Sequence, residues 1–235
     1  MSLLGRSAPA KTPATTPPER AARRCLAADM VLVHRVFRRE LHLLPTLVGR
    51  VAADVGRAAT LAAHCRELTT ALRHHHVAEQ ELLWPRLAER GVLDGALRQR
   101  LGAWHREHAA LLSELDGLLP LWVDTADPDL QAVLVDIMTE LDHAVAAHLD
   151  VAETQVLPAV DEHFSTAEWL ALGLRAAGWI PLHRMAWMLG AMLEDATPAE
   201  RANLLGKVPA PARLLYRMVG QEQYVREMRL LRDAA

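Results

Sequence analysis

The chain consists of long stretches of helix-forming residues separated by glycine and proline. The first ends at about Val55, Gly91 closes the second, the third ends near Pro120, and Asp127-Pro128 starts the fourth. Leu and Ala dominate a sequence that is 51% hydrophobic but only 4% aromatic, which favours helix over strand. Four such helices with short connections predict an all-α, up-down-up-down four-helix bundle.

The composition along the chain predicts three parts. Residues 1–18 are rich in Pro, Thr and Ala, cannot build a core, and are predicted to be disordered. The four-helix bundle is expected over residues 19–163. A C-terminal layer of shorter helices is expected over residues 164–235, where Ser165–Glu168 and Thr197–Glu200 both fit the capping-box pattern that starts a helix.

Charge, hydropathy and cysteine usage narrow the class of protein. The formal net charge of -3 gives no electrostatic reason to expect nucleic acid as a partner. Apolar runs are too short for a membrane span, and the N-terminus lacks the apolar core of a signal peptide. Cys25 and Cys65 fit neither a disulfide framework nor a zinc pattern. We therefore expect a cytoplasmic protein that does not associate with membranes.

Histidine is unusually abundant and is concentrated in the bundle region. Ten of the twelve histidines lie between His34 and His148, and histidine is the commonest metal-ligating side chain. On the second helix, His75 and Glu79 are four residues apart and therefore share one face. On the fourth, His148 is followed closely by Glu153, and both segments run into a Leu-Pro or Leu-Trp-Pro sequence. The two segments resemble an internal repeat.

Every predicted bundle helix offers at least one inward candidate ligand. Imidazole and carboxylate together suit iron, manganese or zinc, and no thiolate belongs to the set. The two rings that flank His75 cannot both face inward with it. The candidate metal ligands are His34, His75, Glu79, His108, His148 and Glu153, with His74 and His105 as alternatives.

Four motifs resemble the hemerythrin-like (HHE) cation-binding domains, in the right order over roughly residues 25–163. HHHVAEQELLWP resembles the family's histidine-histidine-glutamate signature, and HLDVAETQVLP its fourth-helix motif. WHREH is similar to its third-helix element and VHRVFRREL to its first-helix segment. The resemblance implies a centre of two iron ions, bridged by an oxo group, that binds dioxygen. In some family members it implies sensing or detoxification of oxygen or nitric oxide.

The fourth helix departs from the family's common pattern, in which a glutamate follows the histidine by four residues. Counting back from Pro158, as Glu79 stands to Pro85, gives Ala152, which cannot ligate. Aligning the Val-Ala-Glu triplets instead gives Glu153, five residues after His148. Oxygen-carrying hemerythrins use a carboxylate at this longer spacing. The two alignments therefore leave open whether Glu153 supplies the carboxylate of the second iron.

Three functions fit these features. The first is a protein that binds or senses dioxygen, another diatomic ligand such as nitric oxide, or iron itself. The second is a di-iron oxidase or oxygenase that acts on a small-molecule substrate beneath the C-terminal layer. The third is a bundle that has lost its metal and serves in protein interactions. We expect the first, because the family's best-known chemistry is of that kind.

Overall fold

The computed structural model describes residues 27–232, so the tail predicted over residues 1–18 lies outside the described residues. The described chain is all-α and contains no strand. Four long helices form the bundle. They are α1 (Ala28–Gly49), α2 (Val55–Ala78), α4 (Gly95–Thr125) and α5 (Pro128–Val151). Each packs against the next along the chain and α5 packs against α1, which closes a ring of four.

Two π-helical turns interrupt the bundle at equivalent places. Glu79–Leu83 joins α2 to α3 (Trp84–Glu89), and Ala152–Val156 joins α5 to α6 (Leu157–His163). A proline follows each turn as the second residue of the next helix. Because proline has no N–H and its ring crowds the carbonyl four residues earlier, a wider turn lets the helix continue. The internal repeat seen in the sequence is thus a structural repeat.

Helix α4 corrects one expectation from the sequence. The helix does not end near Pro120 but continues to Thr125, and it closes at Ala126, whose φ of 48° is left-handed. Leu119 and Trp122 flank Pro120 and are almost completely buried in the bundle. Their burial offsets the one backbone hydrogen bond that proline removes, because tertiary packing supplies most of the stability of a helix in a protein.

The C-terminal layer consists of short helices after Phe164. Both predicted capping boxes are present, with Ser165 and Thr197 each paired reciprocally with a glutamate three residues on. The helices are α7 (Thr166–Ala177), α8 (Met185–Glu194), α9 (Pro198–Lys207), α10 (Ala210–Leu215) and α11 (Gln221–Arg232). A π turn at Tyr216–Gly220 joins α10 to α11.

This layer shares the hydrophobic core of the bundle. Trp187 of α8 and Tyr224, Met228 and Leu231 of α11 are buried in the same cluster as the inward residues of α1, α2, α4 and α5. The bundle helices end at residue 163, but the hydrophobic core includes side chains from both sides of this boundary. The division into separate domains stays a prediction.

A buried ionic cluster also fastens the layer to α1. Glu40 is 2% exposed and contacts Arg39, His64 and Arg232, the last at 2.7 Å from the end of α11. Burial raises the pKa of Glu40, but the hydrogen bond with His64 and the charges of His64 and the two arginines lower it to about 2. Glu40 is therefore ionised at neutral pH and holds α11 against the bundle.

Within residues 27–232, no helix combines the length and the apolar character that crossing a bilayer requires.

Candidate metal centre

Six buried histidines and one buried glutamate converge inside the bundle. Each of these side chains is at most 6% exposed. The four bundle helices all contribute, because hydrophobic neighbours direct the same face of each helix into the core. The residues are His34 from α1, His75 and His76 from α2, Glu79 at the start of the first π turn, His105 and His108 from α4, and His148 from α5.

His34, His75 and Glu79 form the first of two groups, which we name group 1. One potential ligand atom from each lies within 4.8 Å of the others. The rings of His34 and His75 meet edge to face with centroids 5.3 Å apart. His75 Nε2 is 3.5 Å from Glu79 Oε1. Group 1 thus contains two imidazoles and one carboxylate.

Group 2 contains His76, His105 and His148, and their ligand atoms also lie within 4.8 Å of one another. The rings of His76 and His105 stack with centroids 3.9 Å apart, and His105 meets His148 edge to face at 4.8 Å. The side-chain amide of Gln80 lies 3.0 Å from His105 Nδ1. Gln80 therefore fixes the orientation of this ring, whose Nε2 lies 3.2 Å from Glu79 Oε2.

Glu79 lies between the two groups. Its Oε1 faces His75, while its Oε2 is 3.2 Å from His105 Nε2 and 4.0 Å from His148 Nε2. The helix explains this position. At about 100° per residue, Glu79 projects roughly 40° beyond His75 and roughly 60° short of His76, so it falls between them around the helix. One carboxylate can therefore contact ions in both groups.

The donor atoms fit a bound cation. Six buried atoms make no hydrogen bond with any described residue, although His105 Nε2 and Glu79 Oε2 lie 3.2 Å apart. They are Glu79 Oε2 and the Nε2 atoms of His34, His75, His76, His105 and His148. Buried polar atoms are almost always paired. Such a set of unpaired acceptors, aimed at common points, is what metal coordination satisfies.

Burial also sets the protonation state of these rings. It lowers the pKa of His75, His105 and His148 to about 3, although the Glu79 carboxylate raises the pKa of His75 and His148 in part. It lowers the pKa of His76 well below its usual range, with the neighbouring His105 adding to the effect. The rings are therefore neutral at pH 7, the form that binds a metal.

Other candidate residues from the sequence lie outside both groups. His108 is fully buried, with its ring centroid 5.1 Å from that of His76, but it belongs to neither group. His74 turns away from the bundle and stacks on Trp179, with centroids 5.5 Å apart. Whether either side chain binds metal stays a prediction.

Glu153 contacts group 1 through the Nδ1 atom of His34. Its Oε1 is 2.9 Å from His34 Nδ1 and 3.3 Å from Arg38, and the side chain is 28% exposed. The π turns align Glu79 with Ala152, because each begins its turn six residues before the proline. The structural counterpart of Glu79 on this side is therefore an alanine, and Glu153 reaches His34 instead.

Sequence reasoning passed over His76 and ranked His105 only as an alternative. The signal for His76 was present in the spacing, since a glutamate three residues on lies nearly as close to its face as to that of His75. For His105, the spacing to His108 gave no basis for choosing between them. The choice depends on how α4 is rotated against α2.

An inward set of histidines and a carboxylate from four helices defines the class of metal-binding four-helix bundles. Residues 25–160, more than half of the chain, match the family model described as the hemerythrin HHE cation binding domain. The chain belongs to this family. Comparisons with curated proteins and with solved structures find no significant match.

Proposed function

We propose that the chain binds two iron ions, one in each group, and uses them to bind or sense dioxygen or nitric oxide in the cytoplasm. The observation that carries the proposal is the position of Glu79, whose two oxygens face two separate sets of imidazoles. A carboxylate between two ions is a recurrent feature of di-iron bundles.

The composition of the groups supports iron as the metal. Two histidines and one carboxylate in group 1 are the donor set of many non-haem ferrous sites, which keep open positions for small ligands. Iron commonly takes more donors than either group supplies, and the Ala152 position adds none. The rings of Phe37, Trp84 and Trp104 pack around the histidines and keep the surroundings apolar. Such surroundings favour an uncharged diatomic ligand over a charged one.

Glu153 has an orienting role in this proposal. Metal-bound histidines usually donate their second ring N–H to a carboxylate, which fixes the ring and its tautomer. The 2.9 Å contact with His34 Nδ1 fits that role and leaves His34 Nε2 for the metal. Arg38 in turn holds the Glu153 carboxylate.

Metal content after anaerobic reconstitution with ferrous iron tests the proposal. We expect roughly two iron ions per chain, as in other di-iron bundles, and an absorption change when nitric oxide is added. Oxygen uptake that stops at the amount of bound iron would indicate binding or sensing, whereas continued uptake with an added small molecule would favour the oxidase alternative. Iron content well under one per chain under these conditions would contradict the proposal.

Two histidines that flank His75 on α2 provide a matched pair of variants. His76→Ala is expected to weaken metal binding in group 2 by at least about 100-fold, the upper range found even for residues that only support a ligand. His74→Ala lies two residues earlier, roughly 200° round the helix on the outer face, and is expected to leave both ions in place. Competition with a chromophoric chelator would measure the affinities. Equal losses in the two variants would show that His76 is not a ligand.

A further inference from the structure

A small, largely enclosed cavity lies between the bundle and the C-terminal layer. Helix α1 lines it with Val33, Val36 and Phe37, α2 with Leu68 and Ala71, and α8 covers it with Trp187 and Met188. Its volume is about 20 Å³, enough for one molecule of the size of water or dioxygen.

The inner surface of this cavity is wholly apolar. Glu67 is the one charged residue at its wall, and its carboxylate turns outward to bind Arg184 at 2.6 and 2.5 Å. A water molecule needs two to four polar partners to be stable inside a protein, and apolar cavities of this kind stay dry and accept apolar gases. The cavity is thus suited to an uncharged, weakly polar molecule.

The cavity adjoins group 1. Ala71 lies one helical turn before His75 on the same face of α2, and Val33 directly precedes His34. The ring of Phe37 lines the cavity and also contacts His75, with ring centroids 5.3 Å apart. Phe37 therefore contacts the cavity on one side and His75 of group 1 on the other.

The C-terminal layer closes the outer side. Arg184 binds Glu67 of α2 and Glu227 of α11 at once, and its guanidinium lies over the Trp187 ring at 4.9 Å. These contacts hold α8 against the bundle at the cavity. The bundle helices alone would leave Val33, Val36 and Ala71 open to solvent on this side.

We propose that this cavity is a binding station for an apolar diatomic gas, from which the gas passes Phe37 to reach group 1. The inference rests on the proposed function for the identity of the gas. It extends that function by giving the C-terminal layer a role, because α8 covers one side of the cavity with Trp187 and Met188.

Xenon is the probe for the station itself, and it requires no iron. In the full-length, metal-free protein under xenon pressure, the methyl resonances of Val33, Val36 and Leu68 are expected to shift more than those of Leu115 in the bundle core. Ala71→Val adds two methyl groups at the cavity wall and should abolish the shifts. Met188→Phe, which fills the cavity from the opposite wall, should do the same. Xenon shifts that are absent, or that survive both variants, would overturn the proposal.

The rate of nitric oxide binding to the ferrous protein tests the passage. We expect Ala71→Val and Met188→Phe to slow association roughly tenfold, equivalent to about 1.4 kcal/mol in the barrier, with iron content unchanged. Ala147→Val places the same side chain at an exposed position of α5 and should leave the rate unaltered. An unchanged rate in the filled variants would overturn the passage even if xenon binds. A protein without iron but with these xenon shifts would refute only the proposed function.

Discussion

Replacing Glu79 by alanine is expected to remove metal from both groups at once. No other residue of the centre faces both sets of histidines, since Oε1 lies near His75 and Oε2 near His105 and His148. The variant also removes the buried negative charge that offsets the charge of the ions. Iron after reconstitution is expected to fall from roughly two ions per chain to well below one, measured by mass spectrometry of the desalted protein.

Glu81 supplies the matched control for this experiment. It lies two residues further on in the same π turn, but its side chain is 51% exposed and pairs with Arg175 on the surface at 2.8 Å. Glu81→Ala is expected to keep full metal content and to cost no more than about 1 kcal/mol of stability, the range for an exposed ion pair. Equal loss of metal in both variants would contradict the prediction that Glu79 binds metal in both groups.

Mild acid is expected to unfold the metal-free protein. Burial holds the pKa of His75, His105 and His148 at about 3 and that of His108 at about 4, and it lowers that of His76 further. In the unfolded chain each ring has a pKa of about 6.5. Below that pH the histidine rings bind protons in the unfolded state but stay neutral in the folded state. The free energy of unfolding therefore falls.

The free energy of unfolding is expected to depend on pH in a defined way. Stability is fully present above pH 6.5 and is lost as the pH falls from there towards 3, by about 1.4 kcal/mol per pH unit for each ring. Five rings therefore give a slope approaching five protons. Urea denaturation of the metal-free protein between pH 7.5 and 5 measures it.

Variants of His108 and His143 distinguish the effect of a buried ring from the effect of an exposed one. His108→Leu is expected to lower the slope by about one proton, because it removes one buried ring that is a member of neither group. His143 is exposed on α5, and His143→Gln should leave the slope unchanged. A free energy of unfolding that stays level between pH 7.5 and 5 would show that the buried rings do not behave as described.

Local sequence features determined most of the helices. Helix starts at Ser165 and Thr197 follow from side-chain capping within four residues, and the composition favours helix over strand. The pairing of His75 with Glu79 was likewise a consequence of helical spacing. Such features are local, so neighbouring residues suffice to predict them.

Tertiary structure decided which rings face each other. His105 joins group 2 and His108 does not, because the rotation of α4 against α2 and α5 is set by burial of residues such as Leu112 and Leu115. The continuation of α4 past Pro120 depends on the same packing. These outcomes depend on contacts between distant segments, which no local spacing encodes.

The contrast is clearest at the fourth helix and in the C-terminal layer. The sequence by itself left Ala152 and Glu153 as rival counterparts of Glu79, and only the folded π turn aligned Ala152 with Glu79 and directed Glu153 to His34. The sequence also indicated separate short helices after Ser165. Their place in the bundle core, through Trp187 and Met228, followed only from folding, because an apolar side chain specifies that it is buried but not against which partner.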